Sequence, residues 1–207
     1  MSNNSITVQA AKKIFRKQGG IIRTSQALEL GIHPRTFYEL RDSGKLIKIS
    51  RGIYRLEETP EPANLDLIIV ATRIPKAVIC LISALSFFEL TTEIPHEVYI
   101  ALPGPGTAKA RQPHLDYPPI RVFRFSGAAF TEGIETHIVD GVGIKIYSPA
   151  KTIADCFKFR NKIGLDVALE ALKLYRRKKE FQIRTLLYYA RICRVEKIMT
   201  PYLEAIR

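Results

Sequence analysis

The sequence predicts an α+β protein, an N-terminal winged helix-turn-helix followed by a mixed α/β domain with a helical C-terminal tail. Three observations predict it. Thr24 to Leu56 reads as a helix, a tight turn, a second helix and a short β-hairpin; residues 77–147 alternate β-branched runs with helical patterns; from about residue 148 on, apolar positions recur at helical spacing. The expected domains are 1–58, the winged helix-turn-helix, and 59–207, the mixed domain.

Ile6 to Gln18 reads as an amphipathic helix, with Val8, Ala11, Ile14 and Phe15 on one face and Lys12, Lys13, Arg16 and Lys17 outside. Gly19-Gly20 ends it, and Ile21-Ile22 is a short extended piece able to pair with the hairpin. Thr24 has the chemistry of an N-cap for a helix over Ser25 to Leu30, which Gly31 stops by taking a positive φ. His33-Pro34 opens the next helix, because proline at its first position loses only an amide that has no partner there. Phe37 and Leu40 face the core, Gly44 ends the helix, and Lys45 to Ile49 and Ile53 to Leu56 flank the turn Ser50-Arg51-Gly52.

Glu57 to Pro62, with three acids and two prolines, reads as a linker. Asn64 is placed to cap a helix through Arg73. Ala77 to Ile82 is an apolar run consistent with a buried strand, and Ser83 is placed to cap a helix over Ala84 to Leu90. Glu97 to Leu102 is a further strand, and the proline- and glycine-rich segment 103–119, with Lys109 and Arg111, a long loop. Ile120 to Phe125 alternates as a strand with one wet face. Asp140-Gly141 joins two strands, Ile134 to Val139 and Val142 to Tyr147, in a two-residue hairpin. Ser148-Pro149 starts a helix to about Phe159, and three more follow over Leu165 to Tyr175, Phe181 to Ile192 and Val195 to Ile206.

Charge is distributed unevenly. The net +12 divides into +6 over residues 1–58 (eleven Lys/Arg against five Asp/Glu), −2 over 59–150 (seven against nine) and +8 over 151–207 (fourteen against six). A basic head and tail around a near-neutral middle favour a polyanionic partner, double-stranded DNA first among them, although surplus lysine and arginine also serve simply to solvate a surface. The three cysteines, Cys80, Cys156 and Cys193, each sit in an apolar run and read as buried free thiols of a reducing cytoplasm. There is no C-x-x-C, and the four histidines are scattered, so neither a metal nor another cofactor is expected. Met1 to Thr7 lacks an apolar signal region, and the longest apolar stretch is about half of what a membrane span needs, so no membrane association is expected.

A helix of this kind enters the major groove and reads base edges with its exposed side chains. Arg35 is the leading candidate, near the N-terminus of the second helix, where its fork can pair with guanine. Thr36, Tyr38 and Glu39 are candidates for phosphate, thymine methyl or cytosine, and Arg41 for the DNA backbone. Thr24 and Ser25, at the start of the first helix of the pair, join them. On the hairpin, Lys48, Ser50 and Arg51 suit a phosphate or minor-groove contact. In the tail, Arg176-Arg177-Lys178-Lys179 is the densest run of charge, and Arg184, Arg191 and Arg194 recur near one face of the helix that follows. These residues fit DNA phosphates, an acidic patch on a protein partner or a plain solvated loop.

The segments Gly20 to Thr24, Gly31 to Leu40, Arg51 to Leu56 and Ile144 to Asp155 together resemble the AbiEi antitoxins of type IV, abortive-infection toxin–antitoxin systems. The resemblance covers roughly Ile6 to Leu203. It implies an N-terminal DNA-binding domain that represses its own operator. It also implies a C-terminal domain that contributes to operator binding and opposes a nucleotidyltransferase-fold toxin in phage defence. Two alternatives stay open: a winged-helix transcription factor with a ligand-sensing or dimerising C-terminal domain, and a nuclease-like enzyme. The last has little support. There is no Gly-Lys-Ser/Thr phosphate loop and no G-x-S-x-G, and Glu97-Val98-Tyr99 has tyrosine where a nuclease needs lysine. The chain is therefore expected not to be an enzyme.

Overall fold

The computed structural model describes residues 2–104 and 113–205. Lys109, Arg111 and the expected helix end at Ile206 lie outside the described residues. The protein is mixed α+β, and its contacts divide it into two units: Met1–Pro75 with His137–Ile144, and Lys76–Thr136 with Lys145–Arg207.

The first unit begins with α1 (Ser2–Lys17), β1 (Ile21–Arg23), α2 (Thr24–Glu29), α3 (Pro34–Asp42), β2 (Leu46–Ser50) and β3 (Ile53–Leu56). The strands form an antiparallel sheet in the order β1-β3-β2, so Ile21-Ile22 does pair with the hairpin. Three aromatic rings organise the core beneath it. Phe37 stacks on Phe15 at 6.3 Å between centroids and meets Tyr54 edge-on at 5.1 Å. Phe15 and Phe37 are fully buried, and truncating either to alanine is worth about 3–5 kcal/mol.

Both helix stops were legible. Ile32 N–H bonds to the Ala27 carbonyl and Gly31 N–H to that of Leu28; Lys45 bonds to Leu40 and Gly44 to Arg41 in the same way. Gly31 (φ 88°) and Gly44 (φ 73°) supply the left-handed residue each stop requires. The start of α2 differs from expectation. Thr24 is already the first helical residue, and Arg23 stands at the N-cap with no side-chain cap bond. The strand decides this, because Arg23 still pairs with Ile53 and the Thr24 amide goes to the Gly52 carbonyl.

The first unit runs past residue 58. Glu58 accepts from Lys12 Nζ at 2.8 Å and Arg16 Nε at 2.9 Å, tying residue 58 back to α1, and α4 (Leu65–Arg73) joins the same unit. Asn64 stands at the N-cap of α4 without a side-chain bond.

The remaining elements are β4 (Val78–Ile79), α5 (Leu81–Phe87), β5 (Val98–Pro103), β6 (Ile120–Phe125), α6 (Ala128–Thr131), β7 (Ile134–Val139), β8 (Val142–Tyr147), α7 (Pro149–Lys158), α8 (Arg160–Ile163), α9 (Leu165–Arg176), α10 (Ile183–Ile192) and α11 (Glu196–Ala205). Their five strands order as β6-β5-β4-β8-β7, with β5 parallel to β6 and antiparallel to β4, and β4 parallel to β8. The tip of the β7–β8 hairpin, His137–Ile144, groups with the first unit.

The expected strand over 77–82 is only two residues long, and the chain turns helical at Leu81. Ser83 is therefore inside α5, where its hydroxyl accepts from the Tyr99 amide at 2.9 Å instead of capping. An apolar run of this length carries no period that separates buried strand from buried helix.

In the second unit α7 is the central helix, packed against α5, α9 and α10, with every residue from Ala150 to Phe157 buried. Ser148 stands at its N-cap before Pro149, yet its hydroxyl makes no cap bond and is buried without a partner among the described residues. Within α7, Lys151 Nζ donates to Asp155 Oδ2 at 2.6 Å, and Cys193 Sγ lies 3.1 Å from Asp155 Oδ1. The Lys151 ammonium also sits 4.2 Å from the Tyr147 ring centroid and 5.0 Å from that of Phe125. Burial raises the Asp155 carboxyl above its usual range, and Lys151 and Cys193 pull it back. All three cysteines are free and buried.

Candidate nucleic-acid interface

The candidate surface is built on α3 and the β2–β3 hairpin, and α3 packs directly against β2. His33 caps α3, its Nδ1 accepting from the Arg35 amide at 3.2 Å, and Pro34 takes the first helical position as expected. This cap places Arg35 in the first turn, exposed and without an ion pair among the described residues. Tyr38, Glu39 and Arg41 are also exposed. Tyr38 leans edge-on against Phe37 at 5.9 Å and carries the Arg41 guanidinium 4.6 Å above its own ring. Arg41 Nε further donates to Asp42 Oδ1 at 2.8 Å. Arg41 is thus held in place by two neighbours, while Arg35 extends from the helix start.

Thr36 is a correction. It is 5% exposed, on the same buried side as Phe37 and Leu40, and so it is not one of the groups that α3 presents to solvent. A residue between an exposed arginine and a buried phenylalanine sits at the margin of a nine-residue helix, and one turn of such a helix does not fix which side of the margin it falls on. Thr24 is half-buried with its amide taken by Gly52, and Ser25 beside it is exposed.

On the hairpin, Lys48 and Arg51 are exposed and Ser50 is half-buried. The ladder shifts register between Lys48 and Ser50: Lys48 pairs with Tyr54, and Ser50 with Ile53. Such a bulge bends and twists the tip of a hairpin and re-aims its side chains.

Two basic residues escaped the sequence reading. Arg73, at the end of α4, donates from Nη1 to the Arg51 carbonyl at 3.2 Å. Burial, and after it the charge of Arg73, holds the Arg23 guanidinium below its ordinary range. Arg23, Arg51 and Arg73 therefore share one basic neighbourhood beside the turn. The Arg23–Ile53 pairing follows from strand register, whereas the return of α4 left no local signal.

In the second unit Arg176 ends α9 and lies over the Phe181 ring at 5.6 Å, while Arg177, Lys178 and Lys179 are exposed in the turn to α10. Lys178 Nζ is 3.7 Å from a Glu89 carboxylate oxygen. Arg184 and Arg191 are exposed on α10, and Arg191 Nε donates to Glu196 Oε1 at 2.8 Å.

Among the described residues no group of three His, Cys, Asp or Glu side chains could hold a metal ion, and no helix is long and apolar enough to cross a membrane. A family model described as transcriptional regulator, AbiEi antitoxin, matches residues 9–56, bearing out over that segment the resemblance drawn from the sequence. The match covers 48 of the 207 residues and spans α3 and the hairpin. No curated protein matches the chain.

Proposed function

We propose that the chain is a DNA-binding autorepressor and the antitoxin of a type IV, abortive-infection toxin–antitoxin system, acting in the cytoplasm against a nucleotidyltransferase-fold toxin. In this reading residues 1–58 are a winged helix-turn-helix: α3 enters the major groove of the operator and the β2–β3 hairpin is the wing. Residues 59–207 carry the antitoxin and regulatory role, and no step of catalysis is assigned to the chain.

One observation carries the reading. The stretch that the family model matches includes α3 and the hairpin, and there Arg35, Tyr38, Glu39, Lys48 and Arg51 are presented to solvent beside the packed ring core of Phe15, Phe37 and Tyr54. An exposed arginine at a helix start is suited to bidentate pairing with guanine, and the cations on the hairpin to phosphates.

The test is fluorescence anisotropy of the full chain on duplex DNA from upstream of its own gene and on a scrambled duplex, at one fixed salt concentration. Clear preference for the upstream duplex is expected, and equal affinity for both excludes operator recognition. Co-expression with a neighbouring nucleotidyltransferase-like gene tests the antitoxin half, with restored growth expected.

A further inference from the structure

α10 ends by the same backbone device as α2 and α3, but with a different residue. Val195 N–H bonds to the Ala190 carbonyl at 2.8 Å and Arg194 N–H to that of Arg191 at 3.0 Å. Arg194 occupies the left-handed position (φ 60°) that Gly31 and Gly44 fill in the other two helices. Glycine takes this conformation at no steric cost, and a side chain there is strained. α5 also stops on a side chain, Glu89 (φ 56°), and that carboxylate has a salt-bridge partner in Lys178. Arg194 has no partner among the described residues.

What Arg194 does have is a cavity. A pocket of about 650 Å³ lies within the second unit, and Arg194, Lys158 and Arg160 line it. Among the described residues no acid joins this lining, which is completed mainly by the apolar side chains of Ile192, Val195 and Ile198 and by small residues. Of the acids in neighbouring segments, Asp155 binds Lys151 and Cys193 and also feels the charge of Lys158, and Glu196 binds Arg191. Arg160 spends one nitrogen on the Phe157 carbonyl at 2.9 Å and keeps the rest of its fork. Lys158 and Arg194 are exposed and Arg160 is half-buried, so water screens their mutual repulsion, but with no acid among the described lining residues an anion placed there meets three cations and no like charge. The volume falls in the range of small-molecule sites, and the apolar side of the lining suits a ligand with an organic body as well as a charge.

We propose that this pocket binds a phosphorylated small molecule of the nucleotide class, with Arg194 and Lys158 on its phosphates and Ile192, Val195 and Ile198 against its organic body. The site lies in the second unit and is independent of the DNA-binding reading.

Titration calorimetry on the full chain tests this with three probes: ATP, inorganic pyrophosphate and a short single-stranded oligonucleotide of random sequence. ATP is expected to bind saturably and more tightly than pyrophosphate. Arg194→Gly is the discriminating variant, because glycine is the preferred residue at that backbone position. If Arg194 were only structural, the variant would keep ATP affinity. The expected result is an ATP affinity lowered about tenfold or more, as removal of one charge-assisted hydrogen bond implies, with an unchanged or raised melting temperature. Lys158→Ala is expected to weaken ATP similarly. The proposal is overturned if ATP shows no saturable binding at millimolar concentration. It is equally overturned if Arg194→Gly and Lys158→Ala both leave its affinity unchanged. Binding of the oligonucleotide through Arg194 without any binding of ATP would overturn it too, and would make the patch a nucleic-acid surface.

Discussion

The ammonium of Lys151 lies 2.6 Å from the carboxylate of Asp155, one turn along α7, and neither side chain has any exposed surface. A buried pair of this kind is costly to break from one side, because the remaining charge keeps its desolvation penalty and loses its partner. Lys151→Ala and Asp155→Ala are each expected to destabilise the protein by about 3–5 kcal/mol in urea denaturation. The double replacement Lys151→Met with Asp155→Leu is expected to cost less than either single change, since no orphan charge is left. A double variant less stable than both singles would mean that the pair itself, and not the avoidance of an orphan, supports the fold.

Glu170 supplies a pH-dependent contribution in the same unit. Its oxygens accept from Thr91 Oγ1 at 2.8 Å and Thr92 Oγ1 at 2.7 Å, and the bonds from Thr92 and Thr91 hold its carboxyl below the ordinary 4.5. A carboxyl whose folded pKa is depressed favours the folded state above its unfolded value and loses that contribution as pH falls through the folded one. Wild type is therefore expected to be more stable than Glu170→Gln above pH 4.5 and to lose that advantage below it. Denaturation midpoints of both proteins, compared from about pH 7 to about pH 3, measure the difference. A constant difference across that range would show that Glu170 acts by shape alone.

Arg35 is the exposed first-turn cation of α3. Arg35→Ala is expected to weaken specific operator binding by about 1–3 kcal/mol, the usual worth of one good base contact, at constant salt. Because Arg35 is exposed and its backbone is fixed by His33 and Pro34, the melting temperature is expected to stay unchanged. Unchanged operator affinity would remove α3 from the reading surface.

Arg51 lies in the hairpin turn and Lys48 on the strand that enters it, both exposed. Their joint replacement by alanine is expected to weaken operator and scrambled DNA about equally. Each phosphate that is no longer neutralised should lower the slope of log K against log salt by about 0.9. A weakening confined to the operator would mean that the hairpin reads sequence.

How far the sequence foretold all this depended on whether the signal was local. The bounds of β3, β6, β7 and β8 were legible because alternation and the Asp140-Gly141 turn fix strands over a few residues. The glycine stops and the His33-Pro34 start were legible for the same reason. α6 and α8, four residues each, carry too little period to register. Thr36 and Ser83 were misplaced because burial at a helix margin, and the choice between strand and helix in an apolar run, are settled by packing partners distant in sequence. Lys151 and Asp155 stand in the sequence as an i, i+4 pair, in a segment that reads as a helix from Ser148-Pro149 and also carries the resemblance. Their apolar neighbours on every side, Ala150, Ile153, Ala154, Cys156 and Phe157, were the available sign that α7 is buried all round. In the candidate interface, Arg73 was out of reach because it arrives from a separate helix.

The tail raises the division of labour between the two basic ends, +6 over residues 1–58 and +8 over 151–207. Within Arg176-Arg177-Lys178-Lys179 the four charges are not equivalent. All four are exposed, but Arg176 rests on Phe181 and Lys178 is 3.7 Å from Glu89, so Arg177 and Lys179 are the two tested first. If this turn lies along DNA, each neutralised phosphate releases counterions and adds affinity that is independent of sequence. Arg177→Ala with Lys179→Ala in the full chain is then expected to reduce the salt slope by up to about 0.9 per phosphate, on operator and scrambled DNA alike. If the turn instead meets an acidic surface on a toxin, the slope stays unchanged and the variant fails to restore growth beside that toxin. A variant with the wild-type slope and full growth rescue would assign the run to solvation and leave neither role to it.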